Sequence, residues 1–158
     1  MAKVSLGELS EFAGNVLALV WMSRTDESPR DKAFVVALRG DLGAGKTTFV
    51  QALAARLGIK DKIASPTYVL MKTYPLEGPL TTFGAPRRFN RAVHIDAYRL
   101  EKPEEFKTLK PEEFLNDPKA LVLVEWPERL GDLLPTPDIT LNFSSQDAGE
   151  GERYIEVT

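Results

Sequence analysis

The sequence predicts a single three-layer α/β domain on a mostly parallel sheet, closed by an antiparallel C-terminal hairpin. Three observations predict it. Phe34–Leu38 and Leu121–Val124 are short apolar runs, the pattern of parallel strands covered on both faces. A glycine-rich segment follows the first run and opens a helical stretch, the order of a strand–loop–helix unit. Ile139–Phe143 and Tyr154–Val157, joined by polar residues 144–153, read as the hairpin. A chain of 158 residues fits one such domain.

In chain order, residues 5–22 predict an amphipathic helix. Leu6, Leu9, Phe12, Ala13, Val16, Leu17 and Val20 recur at helical spacing, and Ser5 with Glu8 resembles a capping box. Polar residues and Pro29 break the chain across 24–32. After the Phe34–Leu38 strand and the glycine loop, a helix runs to about Leu57 and stops at Gly58. Thr67–Tyr74 reads as a strand, and 75–91, with its prolines, glycines and arginines, as a loop. A short strand over Ala92–Ile95 follows. Pro103 and Pro111 open short helices over 103–107 and 111–116. Glu104, Glu105, Glu112 and Glu113 in their first turns suit the helix dipole and need no catalytic role.

Apolar residues make up 43% and charged residues 27%, with a net charge of −3, which describes an ordinary globular protein. That balance argues against a chain that coats nucleic acid by charge alone. There are no cysteines, so disulfides, zinc–thiolate sites and thiol nucleophiles are excluded. The N-terminal residues lack signal-peptide regions, and the apolar stretch Val16–Met22 is too short to span a bilayer. The expected location is the cytoplasm, with no membrane association.

Gly40-Asp-Leu-Gly-Ala-Gly-Lys-Thr47 matches the P-loop pattern in full, between a buried strand and a helix as that loop requires. Backbone N–H groups over Asp41, Leu42, Gly43, Ala44 and Gly45 are expected to converge on phosphate, helped by the positive end of the following helix. Lys46 is expected to bridge the β- and γ-phosphates, Thr47 to ligate magnesium and Thr48 to meet the α-phosphate. The cofactors expected are therefore ATP or ADP with magnesium. P-loop proteins also need an acid near the metal at the end of a neighbouring strand. Asp96 closes one strand and Glu125 the other, the latter resembling a Walker B strand with Glu in place of Asp. Lys46, Asp96 and Glu125 are the catalytic candidates. His94, the single histidine, reads as a hydrogen-bonded core residue rather than a catalyst. Arg99 reads as one half of an ion pair, with an in-cis phosphate contact as the alternative, and Trp21 as core.

These residues together resemble the TsaE (YjeE) family. Gly40–Thr48, Ser65-Pro-Thr67, His94-Ile-Asp-Ala-Tyr-Arg-Leu100 and Val124-Glu-Trp-Pro-Glu128 stand in that family's order and approximate spacing, over most of residues 5–157. The family comprises bacterial ATPases needed to make N6-threonylcarbamoyladenosine in tRNA. The resemblance implies that Thr67 lies near the γ-phosphate and magnesium. It implies that Asp96 places the attacking water or the metal, that Glu125 lies near magnesium and that Trp126 rests against the adenine. It also implies TsaD and TsaB as partner proteins, with tRNA met only indirectly. Hydrolysis would reset that assembly between turnovers. The segment 75–91, carrying Arg87, Arg88 and Arg91, is longer than the family pattern, which reads as a surface insertion, with an altered partner or tRNA contact as the alternative.

Two other functions fit the same loop. A small-molecule or nucleotide kinase would need an arginine lid, for which Arg87–Arg91 is the candidate. A nucleotide-dependent interaction module would not need hydrolysis. A GTPase is disfavoured, since no Asn-Lys-x-Asp run exists to read guanine. No arginine finger is evident, so intrinsic turnover is expected to be slow.

Overall fold

The computed structural model describes residues 1–23, 31–61, 70–76 and 89–158. These form a seven-stranded sheet with helical segments on both faces. The strands are β1 (Ala2–Ser5), β2 (Phe34–Arg39), β3 (Met71–Pro75), β4 (Arg91–Asp96), β5 (Ala120–Glu125), β6 (Ile139–Ser144) and β7 (Glu152–Val157). Their spatial order is β1-β7-β6-β2-β5-β4-β3. The centre, β6-β2-β5-β4, is parallel throughout. β3 and β7 flank it antiparallel, and β1 adds antiparallel to β7.

The apolar runs are buried as their composition requires. Every residue of β5 is buried, and Phe34–Leu38 of β2 are at most 2% exposed. Alternate residues feed two cores. Phe34, Val36, Leu38, Leu121 and Leu123 face helices α1 (Leu9–Met22) and α2 (Lys46–Arg56). Val35, Ala120, Val122 and Val124 face the opposite layer with Phe106 and Phe114. That layer holds a 3-10 helix over Pro103–Leu109 and the short α3 (Glu112–Leu115), as the two prolines predict. Glu105 Oε1 accepts from the Lys102 and Glu101 amides at 2.9 and 3.2 Å, so its first-turn position serves capping.

Two boundaries differ from the sequence reading. The first helix begins at Leu9, not Ser5, because residues 2–5 form β1 instead. The Ser5–Glu8 pair caps a turn and not a helix: Glu8 Oε2 accepts from the Ser5 amide and hydroxyl at 2.9 and 2.7 Å. Leu6 in that turn is largely exposed and takes no part in the apolar face. Secondly, Pro75 and Arg91, assigned to the loop, are the paired ends of β3 and β4. Leu76 and Phe89 beyond them are buried, and the Leu76 amide donates to the Asn90 carbonyl at 2.8 Å. Of the 67–74 strand, Tyr74 and its neighbours from Met71 on lie in β3, whereas 67–69 fall outside the described residues.

Gly40 joins β2 to the loop, with φ +135°. A Cβ there would run into the Phe143 carbonyl oxygen on β6. Gly40→Ala is therefore expected to destabilise the fold by about 2–3 kcal/mol. A urea-unfolding midpoint equal to the wild type's would contradict this.

Candidate functional site

Three adjacent parallel strands deliver the site at their C-terminal ends. β2 leads into the glycine loop, β5 ends on Glu125 and β4 on Asp96. Strand register sets Asp96 beside Glu125, and Glu125 beside Leu38. This is the edge at which open α/β sheets take ligands. Leu42, Gly43, Gly45, Lys46, Thr47, Thr48, Asp96, Glu125 and Trp126 line one cleft there, of about 270 Å3. Ala44 is buried under the loop, and its amide is spent on the Asp41 carbonyl at 3.1 Å. Thr67, with Ser65 and Pro66, lies outside the described residues, as do Arg87 and Arg88.

Gly45 caps α2 with φ +97°, a left-handed turn that suits glycine and frees the first amides of the helix. Lys46 follows at 4% exposure. Its ammonium donates to the Gly40 and Asp41 carbonyls at 2.6 and 2.9 Å. It also lies 4.0 Å from the centre of the Trp126 ring. Burial pushes this lysine below its ordinary value, while the negative charges of Glu125, Glu128, Asp96 and Asp41 pull it back up. An anion in the cleft would supply the missing counter-charge.

Thr47, Glu125 and His94 form a connected polar group. The Thr47 hydroxyl lies 3.0 and 2.9 Å from the two Glu125 oxygens and donates its one hydrogen to that carboxylate. His94 Nε2 lies 2.8 Å from Glu125 Oε1. His94 and Glu125 are 1% and 2% exposed. His94 is thus a hydrogen-bonded core residue, as read, and its partner is the metal-ligand candidate. Asp96 Oδ1 accepts from the Tyr98 amide at 3.0 Å, and the residue lines the cleft.

Trp126 sits in the left-handed region at φ +59°, held by its amide's bond to the Leu38 carbonyl at 3.2 Å. Its ring packs against Tyr98, centroids 5.1 Å apart, over the lysine. No motif marks Tyr98 for this role. Nor does one mark Arg153, whose Nη2 donates to the Gly43 carbonyl at 3.4 Å from β7. No local signal marks Arg153, because 110 residues separate it from the loop it touches. His94, by contrast, had a signal: it lies two residues before Asp96 and so shares its face of β4.

The donor set suits magnesium. Thr47 and Glu125 offer hard oxygens within hydrogen-bond distance of each other, with Asp96 on the next strand. Among the described residues no cluster of three or more acids, histidines or cysteines could cage a metal alone. Magnesium asks for no such cage. It takes one or two protein oxygens and completes its shell with phosphate and water.

Comparison with known proteins assigns the family. The model of the family described as threonylcarbamoyl adenosine biosynthesis protein TsaE matches residues 9–155. The chain belongs to the TsaE family. The tRNA threonylcarbamoyladenosine biosynthesis protein TsaE of Haemophilus influenzae is 34% identical over 128 residues, covering 81% of this chain and 73% of that protein. The TsaE of Treponema pallidum is 36% identical over 127 residues, covering 80% and 83%. The crystal structure of Bacillus subtilis YdiB superposes with a TM-score of 0.64 at 25% identity, covering 98% of this chain and 82% of YdiB. The TsaE family's role is tRNA threonylcarbamoyladenosine biosynthesis. No helix among the described residues is long and apolar enough to cross a membrane.

Proposed function

We propose that this TsaE-family chain binds magnesium–ATP and hydrolyses it in the service of a TsaB–TsaD complex that modifies tRNA. The observation that carries the reading is the convergence of the loop, Lys46, Thr47 and Glu125 on one cleft, where a buried ammonium faces the acids. Loop amides and the α2 N-terminus would hold the phosphates. Lys46 would turn from the Gly40 and Asp41 carbonyls to the β- and γ-phosphate oxygens, exchanging neutral acceptors for charged ones. Trp126 covers Lys46 and is proposed to rest against the adenine once the lysine has turned.

Thr47 and Glu125 would hold the magnesium, which when bound neutralises charge on the phosphates. Asp96, which lines the same cleft on the neighbouring strand, would orient the attacking water. The water oxygen bonds to the γ-phosphorus. The bond from that phosphorus to the bridging oxygen breaks, and its electron pair leaves with ADP. Lys46 meets the charge that develops there.

The test is phosphate release measured with and without TsaB and TsaD. Slow release alone, raised by the partners, is expected. Fast release that the partners leave unchanged would contradict partner-dependence. Net phosphoryl transfer to any acceptor other than water would favour the kinase alternative.

A further inference from the structure

The geometry points to His94 as the positioning residue that orients the buried carboxylate of Glu125 for magnesium. The inference rests on the magnesium–nucleotide reading above.

A carboxylate at 2% exposure needs its lone pairs satisfied, and a free rotor there would present its oxygens in no defined direction. Glu125 is held from two sides. His94 Nε2 lies 2.8 Å from Oε1, and the Thr47 hydroxyl straddles both oxygens at 3.0 and 2.9 Å. His94 approaches Oε1 alone, so it selects which oxygen remains for a cation on the Thr47 side. The histidine cannot wander. It is 1% exposed in β4, and the β4–β5 register holds it against the strand that carries Glu125. Its other nitrogen, Nδ1, is buried without a hydrogen-bond partner among the described residues. A proton on Nδ1 would be an unsatisfied buried donor, whereas a bare lone pair costs less. The Nε2–H tautomer therefore fits the site, and it donates to the carboxylate.

Magnesium demands near-ideal octahedral geometry, so a carboxylate that is present but misdirected binds it poorly. Residues that orient a metal ligand through a hydrogen bond contribute about 10- to 100-fold to metal affinity. His94 is accordingly a positioning residue: it touches neither nucleotide nor metal, and acts through Glu125.

The experiment is a magnesium titration of the protein–ADP complex followed by tryptophan fluorescence, beside ADP affinity in EDTA. Three variants are compared with the wild type. His94→Leu removes the donor, His94→Gln returns a donor near the Nε2 position, and His94→Asn returns one too short to reach Oε1. The expected result is a magnesium midpoint raised about tenfold or more in the Leu and Asn variants. The Gln variant should lie within about threefold of the wild type, and ADP affinity in EDTA should be unchanged in all three. Should the Leu variant fail to fold, the Gln–Asn contrast carries the test. Identical midpoints in every variant would overturn the proposal, and so would an equal loss in Gln and Asn, which would make His94 a packing residue. A wild type whose ADP binding ignores magnesium would overturn this inference and the magnesium reading together. Magnesium dependence in the wild type with no variant effect would overturn this inference alone.

Discussion

Lys46→Met is expected to lower ATP hydrolysis by orders of magnitude while leaving the protein as stable as the wild type or more so. The two effects share one cause. The ammonium is almost fully buried, and the polar groups that hold it are two backbone carbonyls. Burial disfavours its charge, and the surrounding acids offset only part of that cost. Methionine keeps the length of the chain and can pack on Trp126 without a charge to desolvate. A gain of about 1 kcal/mol, or roughly 2–4 °C in Tm, is expected. Loss of this ammonium at the phosphate end of the loop should lower hydrolysis by about 10²–10³-fold.

The sign of the pH dependence follows. Well below the lowered folded-state value, Lys46 is charged in both folded and unfolded chains, and its burial cost is felt in full. Between that value and the ordinary lysine value of about 10.4, the unfolded chain holds the Lys46 proton more fully than the folded chain, so the cost of burying Lys46 shrinks as pH rises. The stability gap between Lys46→Met and wild type should therefore close as pH rises through this window. Urea unfolding at neutral and alkaline pH reads it directly. A methionine variant less stable than wild type at neutral pH would mean that the lysine's carbonyl bonds and ring contact outweigh its desolvation.

Much of this arrangement was legible in the sequence, for reasons particular to each part. The central strands β2 and β5 were readable because burial on both faces leaves no polar position to blur the run. The loop was readable because close backbone wrapping admits glycine at few alternatives, as Gly40 against Phe143 illustrates. β1 was not readable. It has a single buried residue, Val4, and it exists as a strand only because β7 supplies its partner. The Ser5–Glu8 spacing was a true local signal that served a turn instead of a helix. At the site, Asp96 and Glu125 were identifiable from their strand ends, but the His94–Glu125 bond depends on the β4–β5 register across 31 residues. Arg153 reaches the loop through β7 alone, so nothing near it in sequence announces the contact.

The two acids should separate when each loses only its charge. Glu125→Gln keeps the side-chain volume and an oxygen that Thr47 and His94 can still meet, but it removes the anion from the metal position. Hydrolysis should fall about 10²–10³-fold, and magnesium should no longer strengthen ADP binding. ADP affinity in EDTA should be unchanged, since the loop amides and Lys46 are untouched. Asp96→Asn should also lower hydrolysis by about 10²-fold or more, because an amide orients and activates water poorly. In that variant, however, magnesium should strengthen ADP binding as it does in the wild type. Calorimetric titration of each variant with ADP, with and without magnesium, distinguishes the roles. The reverse pattern, with Asp96→Asn blind to magnesium and Glu125→Gln responsive, would exchange the two assignments. The buried chain His94–Glu125–Thr47 would then be a structural brace beneath the loop, and the cation would belong beside Asp96.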